Sequence, residues 1–170
     1  GNVLNGNLSG TYPPATYRIS GEITIASGDT VVLEAGTKFL FDGEYNFNIY
    51  GTLEAIGTES DSIIFDNYGD DKWHGIILNN HTETTIFEYV RISGSKDRGI
   101  ELYNSDPIFQ NVMISNNIAD YGGGIQIDYG DIISNNTTVK NNIAIKGGGI
   151  NTVETSYNFS NYIKLTNLLL

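Results

Sequence analysis

Two acids are the sharpest chemical candidates in this chain. Glu101 sits in Gly99-Ile100-Glu101-Leu102 and Asp128 in Gly124-Ile125-Gln126-Ile127-Asp128, so both lie just past a Gly-Ile pair. If these two segments are paired strands, the carboxyls lie one strand over and two residues along, roughly 8 Å apart. An acid and a base at that separation can flank a water and hydrolyse a glycosidic bond with inversion. Two exposed acids on an acidic surface also occur as plain solvated residues, and the rest of the sequence favours that second reading.

A second cluster, Asp66, Asp70 and Asp71, precedes Trp73. Hard carboxylate oxygens gathered in a turn suit calcium, the one cofactor these residues suggest. The competing reading is a solvated loop whose aspartates bond to nearby backbone N–H groups. A Gly-Gly-x-Gly-x-Asp calcium repeat is absent from the sequence. Trp73 offers either a flat platform for stacking a sugar ring or a large apolar body for a corner of the core. His74 and His81 belong to no paired-ligand or Ser-His-Asp pattern and are read as incidental.

Composition removes other chemistry. The 170 residues contain no cysteine, so disulfides, thiolate zinc sites and cysteine nucleophiles are excluded. A net charge of −11, with only 9 Lys and Arg, argues against nucleic acid as a partner, because phosphate neutralisation needs basic clusters. No run of residues is apolar for the length of a membrane span. Hydrophobic residues make up 39%, enough for a packed core. Abundant Gly and Asn with Ile, Val, Thr, Tyr and Phe at the apolar positions favour short strands joined by tight turns.

The elements that would position these residues emerge on comparing the chain with itself. Asn116-Asn117-Ile118-Ala119-Asp120-Tyr121-Gly122-Gly123-Gly124-Ile125 returns 25 residues later as Asn141-Asn142-Ile143-Ala144-Ile145-Lys146-Gly147-Gly148-Gly149-Ile150. Gly-Ile recurs earlier at Gly99-Ile100 and Gly75-Ile76, and Ile86–Ser93 matches Ile108–Ser115 in type. Each repeat holds two or three alternating strands separated by Gly, Asn or Asp. A leucine-rich repeat of similar length would need a Leu frame that is missing here. The spacing therefore predicts an all-β, right-handed, single-stranded parallel β-helix of roughly seven coils of about 24 residues.

Alternation assigns the two sides of each strand. Ile76, Ile100, Ile125 and Ile150 form one inward ladder, and Leu78, Leu102 and Ile127 the next. Val90, Val112 and Thr137 make a third; Ile92, Ile114 and Val139 a fourth. Leu33, Phe39, Phe41, Ile49, Leu53, Ile63 and Phe65 fall inward in the earlier coils. Outward columns run Ile77, Glu101, Gln126, Asn151 and Asn79, Tyr103, Asp128, Val153. The paired asparagines are expected at a corner, where a stacked amide ladder satisfies turn backbone groups in the left-handed conformation. The three-glycine runs are read as tight corners, since a strand and no helix follows them.

The twice-present Asn-x-Ala-x-x-Gly-Gly-x-Ile element resembles the repeat of chlamydial polymorphic outer membrane proteins and related bacterial surface β-helices. Ile114 and Val139 stand where that repeat usually has Phe. The earlier elements Val32-Leu33-Glu34-Ala35-Gly36, Ile49-Tyr50-Gly51-Thr52-Leu53 and Trp73-His74-Gly75-Ile76 resemble another pattern of secreted bacterial β-helix proteins. These resemblances imply an extracellular or cell-surface protein, and a structural Trp73 at a coil corner. They are silent on activity, since lyases, hydrolases, adhesins and scaffolds share the fold. The expectation is a non-catalytic segment acting as adhesin, stalk or filament component, with a glycan or host surface as ligand. The alternative is a carbohydrate-binding or carbohydrate-cleaving β-helix.

The ends complete the sequence reading. Residues 1–20 lie outside the repeat and are expected to lead into and cover the first coil. Residues 21–170 form the β-helix, which is expected to continue beyond residue 170. Residues 161–167 resemble the start of another coil, and Ile163, Leu165, Leu168, Leu169 and Leu170 form an apolar assembly edge. Through that edge the chain continues, or meets a second copy head to tail.

Overall fold

A computed structural model describes residues 2–80 and 83–153 and the backbone of Lys164–Thr166. Every regular element among the described residues is a strand, and every pairing is parallel. The strands stack in three columns. The first runs from Val3–Asn7 through the start of Thr16–Ile25, Lys38–Phe41, Ile63–Asn67, the second halves of Ile86–Ser93 and Ile108–Ser115, and Thr138–Lys140. A second column passes through Asn46–Ile49, Gly75–Leu78, Ile100–Tyr103, Ile125–Asp128 and Ile150–Val153. The third joins Gly10–Tyr12, Thr30–Leu33, Thr52–Ile56, Ile133–Asn135 and Lys164–Thr166 through the first halves of the two long strands. This is a parallel β-solenoid of about six turns, in line with the expected coils.

Alternation along each strand builds the core. Ile76, Ile100 and Ile125 are in register and at most 1% exposed, as are Phe65, Ile92, Ile114 and Val139 in the first sheet. Ile150 continues the isoleucine ladder but is only half-buried, and among the described residues no further rung of its sheet follows it. Burying one such side chain contributes about 1.5–3 kcal/mol, so the ladders supply most of the driving force. The two halves fill the interior differently. Around Phe39, the rings of Tyr12, Tyr17, Phe47 and Phe65 pack within 5.6–6.1 Å, largely edge to face. Trp73 stacks on Phe41, and later rungs rely on Ile and Val together with the buried Phe87–Phe109 pair.

Corners are made where a residue turns left-handed or lacks a side chain. Tyr89, Asn111 and Asn136 occupy one aligned position with φ of 49°, 53° and 54°. Asn116 and Asn141 do the same at the next corner, with φ of 58° and 54°. At Gly51 a Cβ would stand 2.3 Å from the Asp29 carbonyl, so the step from second to third sheet there requires glycine.

Two features add to the sequence reading. The boundary at residue 20 falls inside the strand Thr16–Ile25, and the lead-in is itself a rung: Leu4 pairs with Ile19 and Thr11 with Val32. The stretch between the paired asparagines and the glycines is more than a corner. Ile118–Tyr121 and Ile143–Lys146 form a separate two-stranded parallel sheet, with Ile143 62% and Ile145 79% exposed. The proposed assembly residues Ile163, Leu168, Leu169 and Leu170, the side chain of Leu165, and His81 lie outside the described residues.

Candidate functional site

The outward face of the second sheet carries the acid pair. Register puts Glu101 beside Gln126 and Gln126 beside Asn151, while Tyr103 lies beside Asp128 and Asp128 beside Val153. Glu101 and Asp128 are thus one rung apart and two residues along, as alternation predicts. Arg98 enters from the preceding corner, where its φ of 81° turns the chain into Ile100–Tyr103.

Each acid already has a partner. Arg98 Nη1 donates to Glu101 Oε2 at 2.8 Å. Gln126 Nε2 donates to Asp128 Oδ1 at 2.6 Å, and Gln126 Oε1 accepts from Asn151 Nδ2 at 2.9 Å. Burial pushes the Glu101 carboxyl above its usual range; Arg98 opposes this shift, while Asp128 and Asp97 reinforce it. A shallow depression of about 330 Å³ lies alongside, lined by Arg98, Tyr121, Gln126, Asp128, Asn151 and Val153. Glu101 does not line it. Arg98 belongs to both settings: it bonds Glu101 and lines the depression with Asp128, and Asp128 adds to the upward shift of the Glu101 carboxyl.

Sequence reasoning found both acids and placed Gln126 in their columns, but missed Arg98 and Tyr121. Arg98 could have been found from its place two residues before the ladder isoleucine, within reach of the first outward position. Tyr121 belongs to the side sheet, which the repeat did not reveal.

The other candidates separate. Asp66 Oδ1 accepts from Asn67 N–H at 2.7 Å and Asp66 Oδ2 from Ser93 Oγ at 2.9 Å, whereas Asp70 and Asp71 are exposed. Among the described residues no three His, Asp or Glu side chains gather where a metal ion could be held. Trp73 is 0% exposed and its Nε1–H donates to the Ser93 carbonyl at 2.8 Å, so it offers no face to a sugar. The packing reading of Trp73 holds instead. His74 lies 3.8 Å from Glu44, which Lys96 also engages. A larger depression, about 770 Å³, follows the corner between third and first sheets beside residues 57–62. Lys38 and Arg91 line it together with Glu59 and Asp61, and the Asp61 carboxylate accepts from Ser60 Oγ at 2.7 Å.

Three parallel sheets wound from one chain, with inward ladders and left-handed corners, define a β-solenoid. The chain belongs to the right-handed β-helix family: the family model for the right-handed β-helix region matches residues 17–167. Comparison with curated proteins and with solved structures gave no significant match.

Proposed function

We propose that this chain is a non-catalytic β-helical segment of a secreted or cell-surface protein of the bacterial kind, serving as adhesin, stalk or filament component. The observation that carries this reading is how the acids are engaged. Arg98 bonds Glu101 at 2.8 Å and Gln126 bonds Asp128 at 2.6 Å, which supports a structural use of both carboxyls over an acid and base facing one bound bond. Strand edges at the tips of stacked rungs pair either with a continuation of the same chain or with a second copy, and both fit a structural role.

The carbohydrate reading has one specific point of support. Tyr121, 48% exposed, lines the depression with Asp128 and Asn151, an aromatic face beside polar groups that suits a sugar ring. A polysaccharide panel separates the two readings. Native chain that releases no reducing ends or unsaturated products, and a Glu101→Ala/Asp128→Ala double variant that behaves identically, fit the scaffold. Cleavage by the native chain that is lost in the double variant refutes it.

A further inference from the structure

In register, one outward column of the first sheet runs Thr16, Lys38, Ile64, Arg91, Met113 and Thr138. At about 4.8 Å per rung it is about 24 Å long. Its first four residues line the depression of about 770 Å³, and Arg91 and the last two line a neighbouring one of about 410 Å³. Glu59 and Ser62 also line both. The two depressions thus form one trough along the solenoid axis, with this column as its floor.

The corner beside the column builds the wall. Residues 13–15, 34–37 and 57–62 turn the chain from third to first sheet in successive, lengthening loops. The next two rungs make the same turn inside continuous strands, with Tyr89 and Asn111 left-handed. The 57–62 loop therefore stands as a wall beside tight rungs. It is pinned on both sides: Gly36 N–H donates to the Asp61 carbonyl at 2.9 Å, and Gly57 N–H to the Glu88 carbonyl at 2.7 Å. Within it, Asp61 N–H donates to Thr58 Oγ1 at 3.1 Å. A wall fixed in this way needs little ordering when a ligand arrives.

Two cations stand on the floor. Lys38 and Arg91 are exposed, and among the described residues neither side chain has an ion pair or hydrogen bond. Register puts them two rungs apart, about 9.6 Å, with Ile64 between. Thr16, Thr58, Ser60 and Ser62 bring hydroxyls to the same space. An extended peptide fits this floor poorly. Its residues advance about 3.3 Å each, out of step with the rungs, and the backbone beneath is already paired in the ladders. A glycan with a carboxylate on alternate sugars places its charges one disaccharide apart, close to the two-rung interval.

We infer that this trough binds a linear acidic glycan, with Lys38 and Arg91 holding carboxylates of alternate sugars and the hydroxyls of the wall bonding the sugars between. This rests on the adhesin form of the reading above and adds the ligand class and its place. Glu59 and Asp61 on the wall, and the net charge of −11, oppose bulk attraction of a polyanion. Recognition is therefore carried by the two cations and their spacing.

Isothermal titration of the full chain with hyaluronan and heparin oligosaccharides, both with carboxylates on alternate sugars, tests this. At least one should bind, more weakly as salt is added, and uncharged chitin oligosaccharides should not. Lys38→Gln and Arg91→Gln should each weaken binding about tenfold, and Lys38→Arg should retain it. Glu59→Gln should strengthen binding about threefold by removing a like charge. Lys38, Glu59 and Arg91 are exposed, so unchanged circular dichroism and melting keep the comparison one of binding. Equal binding by the native chain and the Lys38→Gln/Arg91→Gln double variant overturns the inference and leaves the adhesin reading standing. Chitin oligosaccharides that bind as well as the acidic ones do the same. A native chain that binds neither acidic glycan also overturns it, while a stalk or filament role stands. Reducing ends released by the native chain overturn the non-catalytic reading, and the double variant still decides the trough.

Discussion

Trp73 lies flat on Phe41, ring centroids 4.2 Å apart and planes 18° from parallel, in the interior of the solenoid. Register explains the contact. Ile19, Phe41 and Asn67 follow one another up the same column. Asn67 turns its amide to the backbone, accepting from Trp73 N–H at 3.0 Å and donating to the Gly94 carbonyl at 2.9 Å. The volume an apolar side chain would have taken above Phe41 is filled by the indole. Trp73→Ala should therefore cost about 3–5 kcal/mol in urea unfolding. Trp73→Phe should cost less, losing chiefly the bond to Ser93. Trp73 is the chain's single tryptophan, so its emission should be blue-shifted and poorly quenched by acrylamide. A solvent-quenched emission unchanged by denaturant would contradict the buried placement.

Glu101 supplies a pH signature. Its folded-state pKa lies above the ordinary 4.5, first because of burial, with Arg98 in opposition. Between the ordinary and raised values the native chain binds more protons than the unfolded one, so this group's contribution to stability falls as pH rises through that window. Glu101→Gln keeps an oxygen for Arg98 and removes the titration. The variant should gain in urea midpoint over the native chain at neutral pH, and the gain should shrink as pH falls below 4.5. A variant less stable at neutral pH than in acid, relative to the native chain, would show that the Arg98 pair outweighs burial.

Asn117 tests the corner ladder. It is 0% exposed, and its amide serves Ser95 N–H, the Ile92 carbonyl and Asn142 Oδ1. Asn117→Ala strands several of these partners, and at about 1–3 kcal/mol for each unsatisfied group the loss should be roughly 2–4 kcal/mol. Asn117→Asp should not rescue it, because a carboxylate cannot donate to the Ile92 carbonyl or to Asn142. Asn136→Ala, which removes an exposed amide pairing with Asn111, should cost less than about 1 kcal/mol. Equal losses at the two positions would mean that burial of the corner is not what gives the ladder its weight.

The ladders were legible because alternation with a fixed 24–25-residue offset leaves one arrangement in which Ile76, Ile100 and Ile125 share a side. The corner role of Asn116 and Asn117 was legible for the same reason, since only a recurring turn requires the same amides twice. The side sheet was not. Ile118–Tyr121 has a strand's composition but lies between two corner signals, and its exposed isoleucines offer no burial pattern to read. The acid pair was placed correctly, yet its chemistry was not legible, because it depends on where Arg98 points. That direction follows from a left-handed φ which nothing in the local sequence announces. Packing of Trp73 was favoured on resemblance alone for a related reason: its physical cause is the gap left by Asn67 one column position above Phe41.

Tyr89 offers a prediction about the backbone itself. It occupies the left-handed corner position, φ 49°, that the next two rungs fill with Asn111 and Asn136. For a tyrosine this conformation brings Cβ against backbone and costs about 1–2 kcal/mol, whereas asparagine tolerates it. The ring recovers part of that cost, since Tyr89 is half-buried and lines a depression with Asn111 and Asn136. The aligned position also matters for hydrogen bonding: Asn136 Nδ2 donates to Asn111 Oδ1, so an amide at position 89 would extend that pair by one rung. Tyr89→Asn should accordingly stabilise the chain by about 0.5–1 kcal/mol. Asn111→Tyr, the same exchange made one rung on, should destabilise it by a similar amount and break the pair. Urea midpoints of the two variants, measured together, check the argument. If Tyr89→Asn is instead less stable than the native chain, ring packing outweighs backbone strain at this corner.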